Sequence, residues 1–175
     1  MKASDRSFQA SAGRVTEAND SMTISDDELI ELAKSARQWA HAPYSNFSVG
    51  ATLLSSDGRV FTGCNVENST YGLSMCAERV AIFKAVSEGA HEIARIAVVT
   101  DHEHIAPPCG CCRQMIWEFS SDATEVILAN LSGDVRRYQI RDLLPEAFDE
   151  RYLEGVSQTP ADRPPLCVEK ESPNG

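Results

Sequence analysis

The sequence has no long hydrophobic run. Its longest apolar stretches, such as residues 93–100, are far shorter than the roughly 18 apolar residues that cross a bilayer as a helix. No apolar segment follows the basic residues Lys2 and Arg6, so the pattern of a secretory signal is also lacking. These absences predict a protein that does not enter a membrane and that works in the cytoplasm.

Basic residues are scarce as well. The 16 Lys and Arg residues are outnumbered by 26 Asp and Glu residues, which leaves a formal net charge of −10 at pH 7. An electrostatic field of this sign repels phosphate backbones and anionic membranes. The charge therefore argues against nucleic acid as a partner or a substrate.

The remaining composition is that of one globular domain with a tail at each end. Hydrophobic residues make up 42% of the 175 residues and charged residues 24%, which is typical of a single folded core. Residues 1–22 lack apolar periodicity, and residues 157–175 carry four of the eight prolines. We predict flexible tails at residues 1–22 and 151–175, on either side of a domain at residues 23–150.

A hairpin followed by alternating helices and strands predicts an α/β fold. Ser25 and Glu28 form a capping box, and we expect the helix that follows to end at Pro43. Asp57-Gly58 predicts a two-residue turn between antiparallel strands. The strands are predicted near residues 49–53, 60–64, 93–100, 125–130 and 135–138, and further helices at 76–87, 109–119 and 141–144. We expect a mixed sheet covered by helices.

The apolar positions of the first two long helices predict which faces are buried. In the first helix these positions are Leu29, Leu32, Ala33, Ala36 and Ala40, and in the second they are Val80, Ile82, Phe83 and Val86. Trp39 and Trp117 also lie in helical patterns, so we expect them in the core or at a subunit interface.

Cysteines are concentrated where two helices are predicted to begin. Cys109 and Cys112 have the Cys-x-x-Cys spacing that holds one ion from a helical turn, and Cys76 can supply a third thiolate. Three protein ligands with a fourth position open are typical of catalytic zinc. Helix N-termini also favour the thiolate form. Cys111 leaves an alternative open, since Cys109-x-Cys111 could compete for the metal.

Glu78 makes catalysis the better interpretation. Zinc deaminases carry a His or Cys ligand, one further residue and then Glu, followed later by Pro-Cys-x-x-Cys, and the Glu moves protons without binding the metal. Residues 76–78 and 108–112 match this pattern. A purely structural zinc site does not need such a carboxylate.

Several segments together resemble the cytidine deaminase family, in its small homotetrameric branch. They are residues 42–51, 63–68, 76–79, 108–114 and 143–145, and the resemblance runs through about residues 25–150. It implies a cytidine deaminase-like three-layer fold in which helices flank a mixed five-stranded sheet. It also implies one Zn²⁺ per subunit and assembly into a homotetramer.

The resemblance assigns roles to the metal-site residues. It implies that Cys76, Cys109 and Cys112 bind the zinc and that Glu78 is the catalytic proton shuttle. Arg79 is expected to donate hydrogen bonds to the thiolate sulfurs, which offsets the charge that three thiolates place on one zinc ion. Cys111 stands where the family usually has alanine.

Other residues are expected to contact a nucleoside. Phe47 resembles the family's aromatic residue that packs on the pyrimidine ring, and Asn65 and Glu67 resemble the pair that holds the ribose 3′-hydroxyl. Ala77 is expected to contact the substrate too. Phe148, in a Leu-Leu-Pro-x-x-Phe segment, is expected to close the site of a neighbouring subunit.

The implied reaction is the hydrolytic deamination of cytidine and deoxycytidine to uridine and deoxyuridine, with release of ammonia, in pyrimidine salvage. Glu67 beside the sugar and the net negative charge argue against a substrate with a 5′-phosphate. Two alternatives remain open. One is a deaminase of a modified cytosine nucleoside such as an antibiotic, and the other is a non-catalytic, zinc-stabilised interaction protein.

Overall fold

A five-stranded sheet forms the centre of residues 24–153, the part of the chain that the computed structural model describes. Its strands are β1 (Val49–Ser55), β2 (Val60–Cys64), β3 (Ile93–Thr100), β4 (Ser120–Asn130) and β5 (Val135–Gln139). They lie in the order β2-β1-β3-β4-β5, with β3 and β4 parallel and the other neighbours antiparallel. The predicted mixed five-stranded sheet is confirmed.

Helices cover both faces of the sheet and complete the expected three layers. They are α1 (Asp26–Arg37), α2 (Ala77–Ser87), α3 (Gly110–Glu118) and the short α4 (Ile140–Leu143). α1 packs on one face, against Ala97 and Val99 of β3 and Ile127 of β4. α2, α3 and α4 share the larger core on the opposite face. The N-termini of α2 and α3 therefore lie on the same side of the sheet.

The predicted tails fall almost entirely outside the described residues. Residues 1–22 precede the described part of the chain, and only the first three residues of 151–175 belong to it. Cys167 also lies outside it. None of the helices within residues 24–153 is both long and apolar enough to span a bilayer.

The start of α1 is as expected, but its end is not. Ser25 and Glu28 form the capping box, with Ser25 N–H donating to Glu28 Oε2 at 2.8 Å. The helix then ends at Arg37 rather than at Pro43, so that Ala40 lies outside it. His41 instead donates a backbone hydrogen bond to the Asn65 carbonyl at 2.9 Å. Because His41 pairs with the segment after β2, the chain does not continue as a helix to Pro43.

The buried face of α2 also differs from the prediction. Phe83 is 45% exposed, whereas the side chains that pack inward are Ala77, Glu78, Ala81, Ile82 and Ala85. The reason is a close approach to β2 at Gly63, where an added Cβ would lie 2.5 Å from the Ala77 carbonyl oxygen. At this point of closest approach only small side chains, such as those of Ala77 and Ala81, fit between the helix and β2.

Two smaller expectations need correction. The β1–β2 turn has three residues, because Ser55 N–H donates to the Arg59 carbonyl and Gly58 adopts a φ of +83°. A three-residue loop with its last residue in the left-handed region is the next most common hairpin connection. Trp39 is 80% exposed and is therefore not a core residue of this chain, whereas Trp117 packs against the core.

Candidate metal centre and active site

Three cysteine sulfurs converge at the N-termini of α2 and α3. Cys76 precedes α2, Cys109 precedes α3, and Cys112 lies in the first turn of α3. Their Sγ atoms all lie within 4.8 Å of one another, and those of Cys76 and Cys109 are 3.9 Å apart. Two sulfurs held at about 2.3 Å by one tetrahedral zinc are separated by about 3.8 Å. The three thiols therefore fit a single zinc ion.

Cys111 does not join this group. It is exposed, and among the described residues the cluster suited to a metal consists of Cys76, Cys109 and Cys112. The reason is helical geometry, since neighbouring residues on a helix point in different directions whereas residues three apart share a face. Cys112 is fully buried, which places its sulfur between the two helix N-termini.

The electrostatics of the cluster favour the thiolate form of Cys76. A hydrogen bond from Cys112, together with the nearby Arg79 guanidinium, lowers the pKa of the Cys76 thiol to about 5. The same hydrogen bond and burial raise the pKa of Cys112. A metal ion bound to Cys112 would therefore have to displace the proton of its thiol.

Arg79 lies against the cluster from α2. Its Nη2 is 3.6 Å from Cys76 Sγ and 3.4 Å from the Ser74 carbonyl oxygen. A cation that donates to a metal-binding sulfur withdraws negative charge from the centre and orients the ligand. The structure therefore places Arg79 where the sequence pattern expects a charge-offsetting residue.

Glu78 presents a carboxylate beside the thiols. It is 4% exposed, lies in the first turn of α2 and lines the same cavity as Cys76 and Cys109. Burial raises the pKa of Glu78 to about 7, and the negative charge of Cys76 adds to the rise. A carboxyl group with a pKa near neutrality can both accept and donate a proton at physiological pH.

The cavity in front of Glu78 has a volume of about 440 Å³, which is suitable for a small molecule. Phe47, Val49 and Val98 supply an apolar surface, and Cys76, Glu78 and Cys109 line the same cavity. The full lining consists of Ser45, Phe47, Val49, Asn65, Glu67, Ser74, Met75, Cys76, Glu78, Val98, Thr100, Ala106, Pro107 and Cys109. A second depression of about 360 Å³ near Trp117 and Asp149 contains none of the metal-site residues.

Comparison with known proteins identifies this combination of features. Residues 23–129 match the family described as the cytidine and deoxycytidylate deaminase zinc-binding region. A cytidine deaminase of Halalkalibacterium halodurans is 51% identical over 120 residues, which cover 69% of this chain and 91% of that protein. The chain belongs to the cytidine deaminase family.

Further relatives extend this likeness to solved structures. A cytidine deaminase of Sporosarcina psychrophila is 48% identical over 127 residues, which cover 73% of this chain and 93% of that protein. The crystal structure of the Burkholderia pseudomallei cytidine deaminase is matched with a TM-score of 0.69 and 51% identity, over 71% of this chain and all of that one. The family's matched region is a zinc-binding one, so zinc is the cofactor that the three cysteines suit.

In this cytidine deaminase family member, Asn65 and Glu67 line the cavity and also bond to the backbone of residues 44–49. Asn65 Nδ2 donates to the Phe47 carbonyl oxygen and Asn65 Oδ1 accepts from the Val49 N–H, each at 2.8 Å. Glu67 accepts from the backbone N–H groups of Tyr44 at 2.8 Å and Ser45 at 3.2 Å. These bonds and a hydrogen bond from Ser45 Oγ lower the pKa of Glu67, so its carboxylate stays ionised.

Two residues expected to contact substrate do not line this cavity. Ala77 is the first residue of α2, and its side chain is buried. Phe148 is 58% exposed and stacks on Tyr152 with the ring centroids 5.5 Å apart. The cavity of the described chain therefore forms without Phe148. The expectation for Phe148 concerns a neighbouring subunit and stays a prediction.

Sequence reasoning missed two polar residues of the cavity wall, Ser74 and Thr100. Thr100 is the last residue of β3 and lines the cavity beside Val98, which is two positions earlier on the same strand. The available signal was a hydroxyl at the carboxyl end of an otherwise apolar strand. Ala106 and Pro107, on the segment that leads to Cys109, complete the same side of the cavity.

Proposed function

We propose that this chain is a zinc-dependent cytidine deaminase that converts cytidine and deoxycytidine to uridine and deoxyuridine with release of ammonia. The observation that carries the proposal is a buried carboxylate, Glu78, in one cavity with three converging cysteine sulfurs. Relatives that are 48% and 51% identical over most of their length are named cytidine deaminases, which supports the same activity.

The metal-site residues have distinct parts in this reaction. Cys76, Cys109 and Cys112 hold the zinc, and Arg79 offsets the charge of the thiolates through Cys76. When bound, zinc supplies the Lewis acidity that makes water an effective nucleophile near neutral pH. The three cysteines would hold the ion in the cavity that Glu78 also lines.

Glu78 moves the protons. Its carboxylate takes one proton from the attacking water and delivers it to ring N3 as the water oxygen bonds to C4. It then takes the second proton of that oxygen and gives it to the amino group, which leaves as ammonia while C4 becomes a carbonyl carbon. A pKa of about 7 at Glu78 suits both transfers.

Substrate binding is assigned to the remaining cavity residues. The pyrimidine packs on Phe47, and the ribose 3′-hydroxyl is held by Asn65 and Glu67. Glu67 is ionised, so its charge disfavours a 5′-phosphate nearby. Ala77 contributes through its backbone, since its side chain is buried.

The assembly is proposed to be a homotetramer in which Phe148 closes a neighbouring site. Support comes from large apolar side chains exposed on the single chain, among them Trp39, Tyr71, Leu73 and Phe148. Association would bury these surfaces. We also propose that the enzyme works in the cytoplasm, where free thiols such as those of the five described cysteines persist. Its proposed place is in pyrimidine salvage.

The test is to incubate the purified, zinc-loaded protein with cytidine, deoxycytidine, cytosine, cytidine monophosphate and a modified cytosine nucleoside, and to follow the ultraviolet change. We expect turnover of the two nucleosides and little of the monophosphate. Turnover only of a modified cytosine nucleoside would favour the antibiotic-type alternative. A zinc-bound protein without any turnover would favour a non-catalytic role.

A further inference from the structure

Thr100 presents a buried hydroxyl to the cavity without a hydrogen-bond partner. The residue is 2% exposed and lines the cavity, and Thr100 Oγ1 bonds to none of the described residues. Buried polar groups in proteins are nearly always paired, because leaving one unpaired forfeits its hydration. A hydroxyl in this position is therefore suited to a partner that enters the cavity.

Apart from Glu78, the other polar side chains of the wall already make hydrogen bonds within the chain, Ser45 to Glu67 and Ser74 to Asn68 among them. Both ends of the Asn65 amide bond to the loop that carries Phe47, and Glu67 accepts from Tyr44 and Ser45. Two further buried polar atoms of the described residues lack partners, Thr52 Oγ1 and Arg79 Nε, and neither residue lines the cavity. Besides Glu78, which is assigned to proton transfer, Thr100 is thus the buried polar side chain of the wall that has no hydrogen-bond partner.

The sheet topology separates Thr100 from the ribose side of the cavity. Asn65 follows β2, the edge strand, whereas Thr100 ends β3, and β1 lies between the two strands. Val49 of β1 connects them, since its N–H donates to Asn65 Oδ1 and it pairs across the sheet with Thr100. The chain beyond Thr100 leads through Ala106 and Pro107 to Cys109. The hydroxyl therefore lines the cavity from β3, on the other side of β1 from Asn65.

Given the proposed function, on which this step rests, we infer that Thr100 Oγ1 hydrogen-bonds to a polar atom of the pyrimidine base and is a further specificity-determining residue. A threonine hydroxyl can donate or accept, so it suits the polar edge of the ring. Because β1 separates Thr100 from Asn65, which is assigned to the ribose, the base is the part of the nucleoside that Thr100 is suited to contact.

The experiment compares Thr100→Val, which keeps the shape and removes the hydroxyl, with Thr100→Ser, which keeps the hydroxyl. For Thr100→Val we expect KM for cytidine and for deoxycytidine to rise by the same factor, about three- to tenfold, as for the loss of one neutral hydrogen bond. The dissociation constant of uridine, measured by calorimetry, should rise equally. Thr100→Ser should return all three values to within about twofold of wild type.

Thr52→Val is the matched control. Thr52 is also buried and unpartnered, but it lies on β1 two residues from Gly50, on the face covered by α1. Its KM values should equal those of wild type. Thermal melting of each variant verifies folding, and Thr100→Ala carries the same expectation if Thr100→Val does not fold.

Several results would overturn the inference. KM unchanged in Thr100→Val, or raised equally in Thr52→Val, would mean that the hydroxyl does not bind substrate. A rise for cytidine but not for deoxycytidine would place the contact on the ribose. In these cases the wild-type enzyme remains active and the proposed function stands. A wild-type protein without turnover of either nucleoside would overturn both proposals.

Discussion

Asn65 Nδ2 donates a 2.8 Å hydrogen bond to the carbonyl oxygen of Phe47. The residue expected to hold the ribose therefore also positions the aromatic wall expected to hold the base. Asn65 Oδ1 also accepts a hydrogen bond from Val49 N–H. One side chain therefore bonds to the backbone on both sides of Ser48, where the loop enters β1. A substitution of Asn65 is therefore expected to change both substrate binding and the geometry of the loop that carries Phe47.

We expect Asn65→Ala to impair binding and folding together. It leaves the part-buried Val49 N–H and Phe47 carbonyl unpaired, so unfolding free energy should fall by about 1–3 kcal/mol. KM for cytidine should rise by more than about tenfold, since the contact to the sugar and the position of Phe47 are lost together. Urea denaturation and steady-state kinetics measure the two effects. A large KM increase at unchanged stability would mean that the side chain serves the substrate alone.

Glu78→Gln should retain zinc and fold but lose most activity. Glutamine has nearly the same shape but cannot carry a proton, and general acid–base catalysis contributes about 10² to 10⁴ in rate. We expect kcat to fall within that range while metal analysis still finds zinc. Glu88→Gln, at the exposed end of the same helix, is the control and should remain fully active. Near-normal turnover of Glu78→Gln would remove Glu78 from the mechanism.

The metal centre predicts a contrast between neighbouring cysteines. Cys112→Ala should lose or greatly weaken zinc binding, whereas Cys111→Ala should keep about one zinc per chain, because Cys112 belongs to the cluster and Cys111 is exposed. Metal analysis of the purified variants measures the difference. If Cys111→Ala is the variant that loses zinc, the assignment of ligands is wrong.

Shared active sites predict a particular mass and a complementation result. Light scattering should report about four times the 19.1 kDa chain mass. Phe148→Ala should raise KM without loss of zinc, because it removes an aromatic wall and no ligand. Mixing Phe148→Ala subunits with inactive Glu78→Gln subunits should restore low-KM activity, since the second chain supplies Phe148 to the intact Glu78 of the first. A fully active monomer, or a mixture without recovery, would refute the shared site.

Asp26 predicts a pH-dependent contribution to stability. It pairs with Arg95 of β3 and Arg137 of β5, and although burial opposes them, these bonds lower the pKa of Asp26. A lowered pKa means that the contribution is complete above the unfolded pKa of about 3.9 and is lost as the pH falls through the folded value. Asp26→Asn should therefore cost about 1 kcal/mol at pH 7 and progressively less below about pH 4.

The matched control for this prediction is Asp27→Asn. Asp27 occupies the same first turn of α1, so it has a similar interaction with the helix dipole, but it is exposed and makes none of these ion pairs. Denaturation curves at several pH values should show a smaller and less pH-dependent loss for Asp27→Asn. Equal losses in the two variants would assign the effect to the dipole.

Short-range patterns in the sequence determined much of this protein. The capping box at Ser25, the hairpin near Gly58 and the Cys-x-x-Cys spacing of Cys109 and Cys112 each depend on residues within a few positions of one another. Local geometry decides such features, because hydrogen bonds and shared helix faces follow from the spacing along the chain. Local spacing therefore indicated the pair Cys109 and Cys112 before the fold was known, whereas Cys76 and Glu78 were expected from the deaminase motif and the family resemblance.

Only the tertiary structure decided features that depend on distant residues. α1 ends at Arg37 because His41 pairs with Asn65, and α2 buries small residues because Gly63 lets it approach β2. Likewise, the sheet brings together the strands and loops that leave the Thr100 hydroxyl without a partner and that let Asn65 bond to Phe47 and Val49. No local spacing encodes these contacts, because their partners are separated by more than ten residues and meet only when the sheet forms.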